Sequence, residues 1–308
     1  MEVLRGTEAL PLDDRPSAVT IGMFDGVHLG HQAVIGRTVD AARAGGIRSV
    51  VTTFDRHPRE VLTHGHEPRL LTTLERKIAL IEALGADVAV VLQFTLEFSH
   101  TAPDVFVDRF LDESMHAQHV VLGENFRFGH RAAGNLAYLR EAAPAHEFTV
   151  EGVGIVELDG RRVSSSSIRE ALDDGDLEWP RVALGRRFSV DGRVVRGAGR
   201  GAGLGFPTAN LETSPRVELP AVGVYAGVAE VGGKREVAAI NVGSNPTFGA
   251  EPVHIEAYLL DFEGDLLGRD VSIEFWQRLR DEERFDSVDA LVAKIDDDVR
   301  RTREVVRE

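Results

Sequence analysis

Gly22-Met23-Phe24-Asp25-Gly26-Val27-His28-Leu29-Gly30-His31 joins a short apolar run to an amphipathic one. Residues 18–24 read as a buried strand, and residues 31–44 as a helix stopped by Gly45-Gly46. The three glycines let the backbone turn sharply and approach a ligand closely. A helix N-terminus after such a turn offers free N–H groups and positive potential to phosphate. His28 and His31 are three apart, so both imidazoles can face one side of the first turn. Two donors there could stabilise charge on a phosphoryl group. Alone, the stretch also fits an ordinary turn with two surface histidines. Its surroundings decide between these readings.

Outward from this turn, strand and helix patterns alternate. Residues 48–54, 87–94 and 119–122 read as strands. Thr72 with Glu75 resembles a capping box opening a helix, and 103–115 reads as another helix. This alternation predicts a doubly wound α/β domain with a parallel sheet. Near 181–187 the character changes. Residues 188–195, 223–231, 236–242, 253–260 and 271–275 read as short strands broken by Gly, Pro and Asn, which suits an antiparallel barrel or sandwich. Ser287 can cap a last helix, with Val288, Leu291, Val292, Ile295 and Val299 in one apolar stripe facing the barrel.

The bulk properties agree with two enzyme-sized domains. The chain has 308 residues, more than one ordinary core organises. Apolar residues make up 43% and charged residues 28%, a globular composition. A net charge of −15 disfavours nucleic acid and anionic membranes as partners. The absence of cysteine excludes disulfides, thiolate metal sites and cysteine nucleophiles. No signal-peptide pattern occurs in 1–16, and no apolar run reaches membrane-span length, so a cytoplasmic protein is expected. Oligomeric state is not legible.

Further segments carry candidate chemistry. Gly123-Glu124-Asn125-Phe126-Arg127-Phe128-Gly129 follows the 119–122 strand, at a carboxyl end where ligands bind in such sheets. Ser164-Ser165-Ser166-Ser167-Ile168-Arg169 precedes a helix. Ser167 with Glu170 reads as a capping box, but four hydroxyls and an Arg also make an anion cradle. Thr53-Phe54-Asp55-Arg56-His57-Pro58 ends the 48–54 strand in a proline-led turn.

In the second half, Gly192-Arg193-Val194-Val195-Arg196-Gly197 leads through alternating glycines to Leu204-Gly205-Phe206-Pro207-Thr208-Ala209-Asn210-Leu211. Such glycines can offer amides to phosphate oxygens, although no Gly-Lys-Ser/Thr follows and the segment is not a Walker motif. Thr208 and Asn210 are two apart, so in an extended segment they share a face. A hydroxyl and a carboxamide suit Mg²⁺ that keeps waters and ATP oxygens. Glu256 lies in the apolar run His254-Ile255-Glu256-Ala257-Tyr258, on one face with His254 and Tyr258. It is either the solvent-facing member of an alternation or a general base for an alcohol.

Taken in order, the first group of segments resembles the adenylyltransferase half of the prokaryotic bifunctional riboflavin kinase/FAD synthetase family. Gly205 to Asn210, residues 241–249 and residues 278–287 resemble its kinase module. The resemblance implies an α/β nucleotidylyltransferase domain over 1–183. It implies a six-stranded antiparallel barrel with a C-terminal helix over 184–308. It further implies phosphorylation of riboflavin to FMN, then adenylylation to FAD, both from ATP, with Mg²⁺. By resemblance, Gly22, Phe24, Asp25, Gly26, His28, His31, Ser165, Ser166 and Arg169 serve the ATP phosphates of the first site. Gly197, Gly205, Pro207 and Thr208 serve those of the second. Mg²⁺ falls to Thr208 and Asn210, the base to Glu256, and flavin contacts to Asn125 and Arg280. Riboflavin, FMN, FAD and ATP are the expected partners.

Three departures from the family pattern stand out: Ser166 where Thr is usual, Arg56 where Pro is frequent, and Ala202 where a basic residue is usual. Two alternatives remain: a nucleotidylyltransferase whose barrel has lost kinase activity, and a non-catalytic flavin or nucleotide sensor.

Overall fold

The computed structural model describes residues 1–307 apart from 8–9, 64–66, 198 and 244–252, with backbone alone at Arg200 and Ala202. The chain forms two compact units, one of residues 1–70 and 74–165, the other of 71–73 and 166–308.

The first unit is built on a six-stranded parallel sheet. Its strands are β1 (Glu2–Arg5), β2 (Ser17–Ile21), β3 (Arg48–Phe54), β4 (Val88–Leu92), β5 (Ala117–Gly123) and β6 (Thr149–Val153), in the order β1-β4-β3-β2-β5-β6. β2, β3 and β4 are buried along their whole length, as central strands covered on both faces must be. Such strands are rich in apolar and β-branched residues and stand out in sequence. The edge strands β1 and β6 are half-exposed and carry charges, so sequence pattern missed them.

Helix α1 (Leu29–Gly45) follows β2 and buries Val34, Ile35, Thr38, Val39 and Ala42 as one stripe, ending at Gly46 in the left-handed region. The expected strand over 18–24 stops at Ile21, because Phe24 turns left-handed and ends the extended backbone. Helix α2 (Leu74–Ala83) starts two residues after Thr72, so Thr73 and not Thr72 flanks it. The helix expected over 103–115 is α-helical only for Pro103–Phe106 and continues as a π-helix through Val107–Ser114.

Helix α3 (Ser165–Asp173) begins before Ser167. Ser167 is therefore not a cap; its hydroxyl accepts instead from the Trp179 indole N–H at 3.2 Å. The second unit is otherwise a closed antiparallel barrel. Its strands are β7 (Ser189–Val195), β8 (Ala209–Thr213), β9 (Gly223–Val231), β10 (Lys234–Gly243), β11 (His254–Leu259) and β12 (Asp270–Arg280), ordered β7-β8-β11-β10-β9-β12 and closed by β7 on β12. β8 is the strand that sequence pattern did not separate from the glycine-rich segment.

Ala209, Ala257, Ile240 and Tyr225 oppose one another in register on four neighbouring strands, and all are buried. The adjacent row, on the opposite face, is Asn210, Glu256, Asn241 and Val224, continued by Arg280 on β12. Helix α4 (Val288–Val305) packs on β9, β10 and β12. Ser287 caps it, accepting from the Ala290 N–H at 3.2 Å. Its expected stripe is only half-buried at Leu291, Val292, Ile295 and Val299, and Val288 is exposed. The deepest residues are polar: Asp298 and Thr302.

Candidate active sites

In the parallel sheet, β2 has β3 on one side and β5 on the other. The strand order reverses there, and the crevice at the carboxyl ends of β2 and β5 is the expected ligand position. The Gly22–His31 turn leaves β2 at this point, and Asn125 follows β5. Gly22, Met23, Phe24, His28, Gly30, His31, Gly123 and Asn125 line a cavity of about 360 Å³.

The turn is strained. Gly26 has φ 79, and two residues with side chains are also left-handed: Phe24 at φ 48 and the β-branched Val27 at φ 41. Phe24 and Val27 are buried in an apolar cluster with Ile35, Val39 and Ile81, which holds the turn in place. The Phe24 ring thus points into the core and meets His31 edge-on, with 5.3 Å between centroids.

His28 caps α1: its Nδ1 accepts from the His31 backbone N–H at 3.4 Å. An acceptor at Nδ1 puts the proton of neutral His28 on Nε2. The His28 and His31 rings stack, with centroids 3.6 Å apart. Burial, then the charges of His28 and Lys77, push His31 well below the ordinary histidine range. His31 is thus neutral at pH 7. Its Nδ1 is buried and has no hydrogen-bond partner among the described residues.

Ser165 reaches this turn from far along the chain, its hydroxyl donating to the Asp25 carbonyl at 3.0 Å. Ser166 and Arg169 follow on α3 and fall within the second compact unit. Arg56 donates to Asp55 from Nε and Nη2, both at 3.2 Å, and Asp55 in turn accepts from the Phe94 N–H. Nothing in the structure explains why this chain has Arg56.

Two features here escaped sequence reading. One is an adjoining cavity of about 470 Å³ walled by Phe54, Phe94, Phe98, Phe106, Phe126 and Phe128. Its rings come from five separate segments, so no single stretch announced it. The other is Lys77, which donates to the Met23 and Phe54 carbonyls, each at 3.1 Å. It shares the buried face of α2 with Ile78 and Ile81, and a lysine on an apolar stripe was the available signal.

The second site lies on the barrel's Asn210–Arg280 row. A cavity of about 610 Å³ is lined there by Thr208, Asn241, Glu256, Tyr258, Arg280 and Phe285, among others. Asn210 opposes Glu256 across β8 and β11, and Glu256 opposes Asn241 across β11 and β10. Strand β11 alternates: His254, Glu256 and Tyr258 are half-buried, and Ile255, Ala257 and Leu259 are buried. The His254 Nε2 lies 3.3 Å from the Glu256 carboxylate.

Gly197 is required by close approach, since a β-carbon there would fall on the Asn210 carboxamide. The glycine segment forms a short helical turn, Arg200–Gly203, whose Gly201 carbonyl accepts from Leu204 and Phe206. Phe206 then packs edge-on against Tyr258 at 5.5 Å, which seats Thr208 at the start of β8. Gly205 and Pro207 are exposed beside it. The expected polar turn at 244–249 and the Ala202 side chain lie outside the described residues.

Arg280 is not an open cation. Its guanidinium forks onto Asp298 at 2.7 to 3.1 Å, and the two side chains are only 12% and 4% exposed. Glu282 accepts from the Asn241 amide at 3.3 Å and lies over Gly243. Among the described residues, no group of three or more His, Cys, Asp or Glu could hold a metal. The oxygen donors Thr208 and Asn210 fit a magnesium ion completed by phosphate oxygens and water, not a caged one.

A parallel sheet with a phosphate-type turn at its switch point, in a chain that also carries a barrel with a carboxylate among hydroxyl and amide donors, defines a two-site nucleotide-dependent transferase. The FAD synthetase family model matches residues 10–167, and the riboflavin kinase model matches residues 184–306. The chain belongs to the bifunctional riboflavin kinase/FMN adenylyltransferase family. It is 38% identical to the protein of that description from Pseudomonas fluorescens, over 98% of this chain and 97% of that one. It is 36% identical to that from Listeria monocytogenes, over 94% and 92%. A solved structure from Streptococcus pneumoniae, described as a macrolide-efflux protein, shares the fold end to end, with a TM-score of 0.88 and 28% identity over 98% of this chain and 99% of that one. No described helix of the present chain is long and apolar enough to cross a membrane.

Proposed function

We propose that the two reactions of the family divide between the two cavities, riboflavin phosphorylation at the Glu256 row and FMN adenylylation at the His28–His31 turn. The observation that carries this is chemical: one cavity is lined by the carboxylate of Glu256, and the described lining of the other holds two imidazoles and no carboxylate. The functional boundary is placed at 183/184, a reading supported by the start of the kinase family model at residue 184.

Phosphorylation needs a base, because riboflavin's terminal hydroxyl must lose its proton as its oxygen bonds to the γ-phosphorus and ADP leaves. Glu256 takes that proton, with His254 beside it to orient the carboxylate. Thr208 and Asn210 would hold Mg²⁺, which supplies neutralisation of the phosphate charge when bound. Gly197, Gly205 and Pro207 shape the phosphate side.

Adenylylation needs no base. An FMN phosphate oxygen, already anionic, bonds to the α-phosphorus of ATP as the bond to the β-phosphate breaks and pyrophosphate leaves. The work is alignment and charge stabilisation. His28 and His31 donate to the phosphoryl oxygens. The Gly22–Gly26 backbone admits the nucleotide, and Asn125 lies between it and the flavin. Ser165, Ser166 and Arg169 take the pyrophosphate end. The aromatic cavity next to the turn suits the isoalloxazine ring. The ligand set fits a cytoplasmic enzyme.

Incubation with riboflavin, ATP and Mg²⁺, with flavins resolved over time, tests the reading. FMN should appear first and FAD second. FMN without FAD would overturn the first site; binding of both ligands without turnover would favour the sensor alternative.

A further inference from the structure

Lys77 is 3% exposed, and no carboxylate forms an ion pair with it among the described residues. Burying an ammonium costs several kcal/mol, and a packed apolar residue avoids that cost. The two carbonyls it serves do not account for it. The Met23 carbonyl already accepts from the Thr53 hydroxyl at 3.1 Å, and the Phe54 carbonyl ends β3. Those carbonyls call for a hydrogen-bond donor, which a neutral group could be, and not for a charge. Both carbonyls belong to residues lining the first cavity, so the ammonium lies directly behind its wall.

We propose that Lys77 is a positioning residue for adenylyl transfer: its ammonium clamps the backbone at Met23 and Phe54, and its charge behind the turn favours an anionic transition state. The inference rests on the assignment of adenylylation to the His28–His31 turn. The titratable groups that interact with Lys77 are Asp25 on the turn, Asp55 after β3 and His31 at the start of α1, against which His28 stacks. Burial does most to hold His31 unprotonated, and the positive charge behind the cavity wall adds to it. That positive charge also favours the negative charge that grows on the α-phosphoryl oxygens, across a medium that screens weakly. Burial lowers Lys77 to about 8, against the pull of Asp25 and Asp55. The charge is therefore present at neutral pH and lost as pH rises through that value. Adenylylation should decline on the same limb.

The test uses the full-length protein with FMN, ATP and Mg²⁺, and the variants Lys77→Met, Lys77→Arg, Thr53→Val and His31→Ala. In Lys77→Met, kcat should fall by about tenfold or more with both KM values within about twofold, and the alkaline limb near pH 8 should vanish. Thr53→Val, which removes a neutral donor to the same carbonyl, should keep the limb. Should Lys77→Met not fold, Lys77→Arg decides: its permanent charge should remove the limb, and an unchanged limb overturns the proposal. A Lys77→Met enzyme with unaltered kcat, or with loss confined to KM, also overturns it. His31→Ala separates the two layers. Its loss of adenylylation beside an intact Lys77→Met sinks the Lys77 role alone, and unaltered adenylylation in His31→Ala sinks the site assignment and the Lys77 role together.

Discussion

The carboxamide of Asn210 lies across the Cα of Gly197, so closely that a side chain at 197 would overlap it. Gly197 follows β7 and Asn210 sits on β8, whose register pairs Val195 with Asn210. Gly197→Ala should displace the carboxamide. A shift of about 1 Å at such a site costs on the order of a hundredfold in rate. Riboflavin phosphorylation should fall accordingly, with adenylylation of supplied FMN retained, as separate assays of the two steps will show.

Glu256→Gln keeps the size and most hydrogen bonds of the side chain but removes the base. Kinase kcat should drop by about 10²- to 10⁴-fold, the usual worth of general base catalysis. Adenylylation should persist. Equal loss of both activities would sink the division between cavities.

His31 makes stability depend on pH. Its folded-state pKa lies well below the ordinary 6.5, chiefly through burial, so the unfolded chain binds the extra proton first. Stability is full above about pH 6.5 and falls as pH drops below it. Melting temperature should therefore fall between about pH 7 and 5, and fall less in His31→Gln. An identical pH slope in both proteins would contradict the buried neutral imidazole.

Arg280 and Asp298 tie β12 to α4 through a nearly buried fork. Asp298→Ala strands the guanidinium, at a cost of about 3–5 kcal/mol. Denaturant unfolding should show that loss, and Arg280→Met with Asp298→Leu should recover much of it. A small effect of Asp298→Ala would mean that the fork does not hold Arg280, and would leave it available to the flavin.

How much of this was legible in sequence follows from distance along the chain. Val88 to Leu92 is an unbroken apolar strand, and His28 and His31 are three residues apart; both readings depend on local geometry, which residue spacing determines. The alternation of β11 and the cap at Ser287 are local in the same sense. The edge strands β1 and β6 escaped because half-exposed charged residues carry little pattern.

What only the tertiary structure decided is long-range. Ser165 meets the Asp25 carbonyl, Lys77 reaches the carbonyls of Met23 and Phe54, six phenylalanines converge on one cavity, and Arg280 chooses Asp298. Asn210, Glu256 and Asn241 share a row because strand register brings them there. Sequence alone determined which chemical groups the protein owns and the two folds that carry them, since periodicity and turn residues act over a few positions. Which groups face one another, and which charge ends up buried, depends on packing between segments far apart in the chain, where no local spacing rule applies.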